Sequence, residues 1–255
     1  MQFDVQPSSL VGFCLVLARA SAWVTISPPF NTPSIPVRVR VGFAVALAFL
    51  LARSVGPSVE DISTPALVGA LLTQVLAGLV LGFFVYVAFA AVQAAGDLID
   101  LQVGFSLGGV IDPLSGNNSA PIGRLQQLLG LAILFSIDGH LAIVAAFIRS
   151  VEVAPLGTLD AAVVAEGLAQ LVVVLLAAAI EIALPILTAL FLTEVALGLL
   201  GKAAPQLNIL VIGFAAKAMI AFALLGATLV LLPGSVDSLL GRALRGAAEA
   251  FGAGG

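Results

Sequence analysis

The chain has 255 residues, of which 61% are hydrophobic and only 9% charged; 10 Lys and Arg stand against 14 Asp and Glu, a net charge of −4. A soluble domain carries about 25% charged residues, and so few charges cannot cover a soluble surface of this size without aggregation. The composition predicts an integral membrane protein, and the lack of any Lys/Arg cluster leaves no electrostatic footprint for nucleic acid.

Unbroken apolar runs, without the alternation of barrel strands, predict helices. They fall at 8–26, 41–52, 66–92, 125–148, 165–193 and 207–232. The first is interrupted by Arg19. No basic residue precedes its apolar core and Asp4 is acidic, so it does not have the form of a signal peptide. Cys14 lies within it, and a lone cysteine there predicts a buried, inert thiol and no disulfide or multi-cysteine metal site. Four prolines between Ser27 and Pro36 predict an extended loop. Between Arg40 and Arg53 lie only 12 residues, short of the ~20 that a spanning helix needs. Ile62 to Gly96 is the longest uncharged run, a full span with overhang, and Gly78-xxx-Gly82 inside it permits close helix approach.

The region from Gln93 to Pro113 mixes apolar positions with acids and breakers, and 104–123 reads as a second long irregular stretch. Such backbone survives at membrane depth only when buried in protein or lining a wet cavity. It is either a structured constriction inside an assembly or an ordinary loop outside the membrane. Asp138 and His140 interrupt the fourth run, Glu181 the fifth and Lys217 the sixth. A mid-span charge costs about 2.5–3.5 kcal/mol on insertion scales, so these groups are expected to snorkel or to face protein in an oligomer or larger complex. Pro185 follows Glu181 by four residues and predicts a kink. Residues 201–206 read as a connector before a helix capped by Asn208. Beyond the breaker pair Pro233-Gly234, Val236, Leu239, Leu240, Ala243, Leu244, Ala247 and Phe251 recur at helical spacing, the pattern of a short amphipathic tail helix. If all six runs span, Lys and Arg divide four against four, and no orientation follows.

Asp97, Asp100, Asp138, Glu181 and Glu194 could form a proton or cation path, but none sits in a spaced transporter motif, which favours structural pairing. His140 is the sole histidine and has neither a cysteine cluster for zinc nor a nucleophile elbow beside it. A turn or hydrogen-bonding role is expected of it, and neither catalytic residues nor a cofactor or metal site is expected of the chain.

Several motifs follow in order. Arg19 precedes Pro28-Pro29-Phe30 and Ile35-Pro36-Val37-Arg38; then come the Gln74-to-Gly82 run and Ala95-Gly96 to Asp112-Pro113. The Asp138-Gly139-His140 turn follows with Ser150 and Pro155, then Ala183-Leu184-Pro185 and Pro205-Gln206-Leu207-Asn208. Over about residues 8–232 this succession resembles the FliR family of flagellar export proteins. The resemblance implies an all-α membrane protein that is not an enzyme, part of the helical hetero-oligomeric export gate of bacterial type III secretion. It implies a FliP-like helical portion over 1–159, a FliQ-like helical hairpin over 160–232 and an amphipathic tail over 233–255. It also implies a plug over about 106–123, with Phe105, Ser106, Gly108, Gly109, Asp112, Pro113, Gly116, Asn117 and Asn118 as gate residues. Arg38, Gly96, Gly104, Glu181, Pro185, Pro205, Gln206 and Asn208 are its structural motif residues. The implied partners are FliP- and FliQ-like subunits, FlhB- and FlhA-like export proteins and unfolded flagellar subunits in transit. The implied place is the cytoplasmic membrane at the flagellar basal body. The injectisome counterpart, SctT, shares most of these features and is the alternative; an independent proton or small-solute transporter is a further one.

Overall fold

A computed structural model of the chain describes residues 7–32, 34–55, 64–106, 120–156, 159–206 and 208–252. Among them there are seven helices and no strand: α1 (Pro7–Ile26), α2 (Val37–Val55), α3 (Thr64–Val103), α4 (Pro121–Ser136), α5 (Gly139–Val153), α6 (Ala161–Ala203) and α7 (Ile209–Ala250). The all-helical expectation holds. Four stretches are long and apolar enough to cross a membrane: Ser9–Ile26, Pro65–Val103, Ala161–Ala203 and Ile209–Gly226. The α4 and α5 helices qualify only as a pair bent by 75°. Of the six apolar runs, the one cut short by Arg40 and Arg53 forms α2, which is not among them. At 40, 43 and 42 residues, α3, α6 and α7 are each about 60 Å long, twice the ~30 Å hydrocarbon core of a bilayer.

Local chemistry sets the helix ends. Asp160 precedes α6, and its carboxylate accepts the Ala162 amide at 2.9 Å. Asn208 caps α7 as expected, its Oδ1 accepting from Val211 at 3.4 Å and its carbonyl from Ile212 at 3.2 Å. Between α4 and α5, Asp138 adopts φ 56° and ψ 19°, a left-handed conformation that Asp tolerates better than most residues. The turn expected at Asp138-Gly139-His140 is thus present.

Four expectations are corrected. Ser27–Pro36 is not helical, but tight turns replace an extended loop. Phe30 and Asn31 donate to the Ser27 carbonyl at 2.9 and 3.1 Å, and Ile35 donates to Thr32 at 3.1 Å. The prolines remove only their own donors, and the amides of Phe30, Asn31 and Ile35 find carbonyls nearby. The Gln93-to-Val103 stretch is not irregular; α3 runs through it to Val103, and Gly104, at φ 104°, ends the helix. Cys14 is exposed rather than buried. Finally, α7 continues through Pro233. The proline removes the one donor that would meet the Leu229 carbonyl, while buried Leu232 and Val236 hold both flanks. Most apolar residues of the expected tail are buried in this chain, Val236, Leu239, Leu240, Ala243, Ala247 and Phe251 among them, and Leu244 is half-buried.

The helices form two compact units. The first takes Met1–Ala88, Ile137–Val173 and Leu239–Gly255. Here α2 packs on α1 and α5, and Trp23 stacks on Phe147 at 4.6 Å and tilts against Phe30 at 5.1 Å. Phe30 in turn stacks on Phe43 at 4.9 Å, which draws the proline turn onto this core. Gly78 and Gly82 bring α3 against α1. A Cβ on Gly78 would overlap the Arg19 carbonyl, and one on Gly82 would lie 3.1 Å from the Trp23 carbonyl. The close approach expected of Gly78-xxx-Gly82 is therefore made, one turn per glycine.

The second unit takes Phe89–Ser136 and Val174–Ser238. A Cβ on Gly96 would lie 2.5 Å from the Cα of Gly123, and a Cβ on Gly130 would touch Val92 at 3.4 Å, so α3 and α4 pack backbone to backbone at one end. This unit also exposes large apolar side chains, among them Phe191, Leu210, Met219, Phe222 and Val230, a surface suited to lipid or protein rather than water.

Candidate functional site

Two polar clusters lie inside apolar helices, one in each unit. In the first, Arg19 of α1 is fully buried. Its Nε donates to Oε1 of Gln74 at 2.6 Å, and its two terminal nitrogens donate to the Ser150 carbonyl at 2.6 Å and the Ala154 carbonyl at 2.5 Å. A weaker bond reaches the Ser150 hydroxyl at 3.3 Å, and the guanidinium carbon stands 5.7 Å from the Phe251 ring centroid. No carboxylate is among these partners. The charge meets the negative end of the α5 dipole instead, at the carbonyl of its C-cap residue Ala154 and at that of Ser150, which also accepts the Ala154 amide at 3.2 Å. Gln74 is buried too and passes the connection on, its amide donating to the Pro155 carbonyl at 2.5 Å. Thr73 donates to the Leu156 carbonyl at 2.9 Å. Arg19, Gln74, Ser150 and Pro155 come from separate motifs of the sequence and form one network that fixes where α5 ends.

In the second cluster, Asp100 of α3 is fully buried, and its carboxylate accepts the amides of Ile122 at 3.2 Å and Gly123 at 2.8 Å. These are orphan donors in the first turn of α4, where the helix dipole favours an anion. The Asp100 carbonyl also accepts from Gly104 and Phe105, both at 3.0 Å, a Schellman-type ending in which positive φ at glycine lets the chain turn back. At the same end of α3, Nζ of Lys217 donates to the Gln102 carbonyl at 3.0 Å, and the Gln102 amide donates to Glu194 at 2.9 Å. Arg19, Asp100 and Lys217 therefore each lie against a helix end of complementary sign. This is a structural use of intramembrane charge. Among the described residues no group of three His, Cys, Asp or Glu comes together that could hold a metal.

Of the gate residues expected from the sequence, Phe105 lies edge-on to Phe214 at 5.5 Å and tilted to Phe222 at 6.2 Å, and Ser106 lies in the turn that follows α3. Gly108, Gly109, Asp112, Pro113, Gly116, Asn117 and Asn118 are outside the described residues. Residues 121–123, placed at the end of the irregular stretch, belong instead to α4. Gly96 and Gly104 join Asp100 in the second cluster, whereas Arg38, Glu181, Pro185, Pro205 and Gln206 are exposed and join neither. The neighbour of Arg38, Arg40, reaches back to the Thr32 carbonyl. The acceptor role of Ser150 and Ala154 and the capping role of Lys217 carry no local sequence signal. Gln126 also escaped notice: it is fully buried on α4, with no partner for either amide atom.

The profile described as bacterial export proteins, family 1, matches residues 10–243 and so takes in the hydrogen-bonded residues of both clusters. The chain is 32% identical over 224 residues to the flagellar biosynthetic protein FliR of Pectobacterium carotovorum, covering 87% of this chain and 85% of that one. It is 31% identical to FliR of Escherichia coli over 220 residues, 85% and 83% of the two chains. Yop proteins translocation protein T of Yersinia pestis is 28% identical over 231 residues, 87% of each chain. With that match over residues 10–243 and FliR relatives 31–32% identical over most of both chains, the chain belongs to family 1 of the bacterial export proteins.

Proposed function

We propose that this protein is a membrane component of a flagellar type III export gate, helping to form the conduit through which unfolded flagellar subunits leave the cell. The observation that carries the reading is the family match over residues 10–243, together with FliR relatives aligned over most of both chains. The geometry agrees with a scaffold rather than a one-chain transporter. Asp100 is committed to backbone amides, Glu194 accepts from Gln102, and Glu181 stands exposed on α6. In this reading FliP- and FliQ-like subunits cover the exposed apolar side chains, FlhB- and FlhA-like proteins complete the apparatus at the basal body, and residues 106–123 plug the resting conduit. Residues 1–159 correspond to the FliP-like portion and 160–232 to the FliQ-like hairpin, whose turn spans the Pro205-Gln206 connector.

Co-expression with the candidate partners, purification in mild detergent and intact-mass analysis test the proposal. A hetero-oligomer containing FliP- and FliQ-like chains is expected; a monomer or homo-oligomer in the presence of those partners overturns it. Deleting residues 108–118 should raise passive ion flux, and unchanged flux removes the plug role. The likeness to Yop proteins translocation protein T favours a second reading, the injectisome counterpart. Restoration of motility to a flagellar-export mutant decides for the first, and restoration of secretion alone to an injectisome mutant decides for the second.

A further inference from the structure

A cleft of about 170 Å³ lies wholly within the first unit, between Leu81 of α3, Ala146 and Arg149 of α5, and Leu244, Ala248 and Phe251 of α7. Leu81, Ser150, Ala247 and Phe251 are buried and close its floor, whereas Ala146, Leu244 and Ala248 are half-buried and Arg149 is exposed, so it opens beside that guanidinium. Ser150 is the one other polar residue of the wall, and its hydroxyl donates to the Phe147 carbonyl at 2.7 Å. An apolar cavity of about 150 Å³ stays dry and takes a small hydrocarbon, so water suits this cleft poorly.

The rim adds charge to that apolar interior. Arg149 makes no hydrogen bond or ion pair among the described residues. The stretches of α5 and α7 that wall the cleft expose Arg149, Arg242 and Arg245 against Glu152 and Glu249, three positive charges to two negative. Hydrocarbon joined to an anion is what a membrane supplies, and a guanidinium fits a phosphate as a fork.

We propose that this cleft is a phospholipid site, seating part of an acyl chain of an anionic lipid whose phosphate is held by Arg149. The lipid also shields the buried cation: Phe251 and Ser150 belong both to the cleft and to the surroundings of Arg19, so hydrocarbon between them keeps water from competing for its donors. The site stands independently of the export-gate reading, since its residues all belong to this chain.

Trp23 reports on occupancy. It is the sole tryptophan and fully buried, it stacks on Phe147 next to Ala146, and its carbonyl lies against Gly82 next to Leu81. The full chain is placed in nanodiscs of phosphatidylcholine with a rising fraction of phosphatidylglycerol brominated on its acyl chains, and Trp23 fluorescence is followed. Quenching is expected to saturate. Arg149→Gln should raise the half-saturating fraction about tenfold, the ratio that one charge-assisted hydrogen bond represents. Ala248→Phe, which fills the cleft and keeps Arg149, should abolish the saturable part. Arg149→Gln alters an exposed side chain and decides alone where Ala248→Phe does not fold. Quenching that never saturates, an unchanged half-saturating fraction in Arg149→Gln, the same fraction with brominated phosphatidylcholine, or saturable quenching in folded Ala248→Phe each overturns the proposal. So does a co-expressed complex whose intact mass retains no phosphatidylglycerol, since the cleft then belongs to a partner subunit.

Discussion

Replacing Arg19 separates a helix-capping role from mere tolerance of a buried charge. Arg19→Ala leaves two neutral acceptors without their donor, Gln74 Oε1 and the Ala154 carbonyl, while the Ser150 carbonyl keeps the Ala154 amide. An unsatisfied buried acceptor costs about 1–3 kcal/mol, and the lost contact with Phe251 adds a smaller amount. Against this stands relief from burying a cation in a membrane segment, about 2.5–3.5 kcal/mol. Taken at mid-range, the balance is a destabilisation of about 1–2 kcal/mol. Arg19→Lys keeps the charge but offers one nitrogen where three acceptors need a fork, and should cost about 1–2 kcal/mol. Trp23, the one tryptophan of the chain, lies one turn along α1 and is fully buried against Phe147. Its fluorescence during denaturation of the purified protein in mixed micelles therefore reports on this end of the core. The reasoning is refuted if Arg19→Ala leaves stability unchanged or raises it, or if Arg19→Lys matches the parent, since either result means that Gln74 and the Ala154 carbonyl do not depend on the guanidinium.

Four further outcomes follow from particular positions. Gly78→Ala should cost about 1–3 kcal/mol because its Cβ would overlap the Arg19 carbonyl. Gly42→Ala, with open space around it on α2, should be neutral or gain up to about 1 kcal/mol; the same micelle titration measures both. Gln126→Leu should stabilise the protein by about 1 kcal/mol, since it removes two buried polar atoms that have no partner, and a loss in unfolding midpoint would show that they have one in the assembly. Glu181→Gln should leave export of flagellar subunits within about twofold of the parent, whereas a transporter relying on an intramembrane carboxylate would lose its activity; secreted-protein levels distinguish the two.

Much of the architecture was legible because it depends on local chemistry. The proline run ended α1, the 12-residue gap marked α2 as a poor span, and Asn208 announced the start of α7. Gly78 and Gly82 were legible as a contact, though not as a contact with the Arg19 and Trp23 carbonyls, because spacing names one face and not its partner. Pro233 misled for a related reason: losing one helix hydrogen bond is decisive in a short peptide, but the buried residues on both sides outweigh it here. The acids misled differently. Asp97 and Asp100 read as the edge of an irregular region, yet they continue α3, and Asp100 satisfies amides of a helix that begins more than twenty residues later. No window along the chain contains both sides of such a bond. The Arg19 network is less legible still, with donor and acceptors 55, 131 and 135 residues apart.

That separation bears on how the protein is made. Synthesis runs from the N-terminus, so α1 leaves the ribosome with its guanidinium long before the acceptors exist. Gln74 follows by 55 residues and Ser150 by 131; at about 5–20 residues per second, the second interval is roughly 7–26 s. During it, the arginine has Gln74 as its one native side-chain partner, and otherwise water, lipid headgroups or the insertion machinery. Commitment of α1 to its buried place is accordingly a late event of biogenesis, delayed until the α5 terminus has emerged. A nascent chain stopped before Ser150 is expected to hold its first helix at the membrane interface rather than within the bilayer.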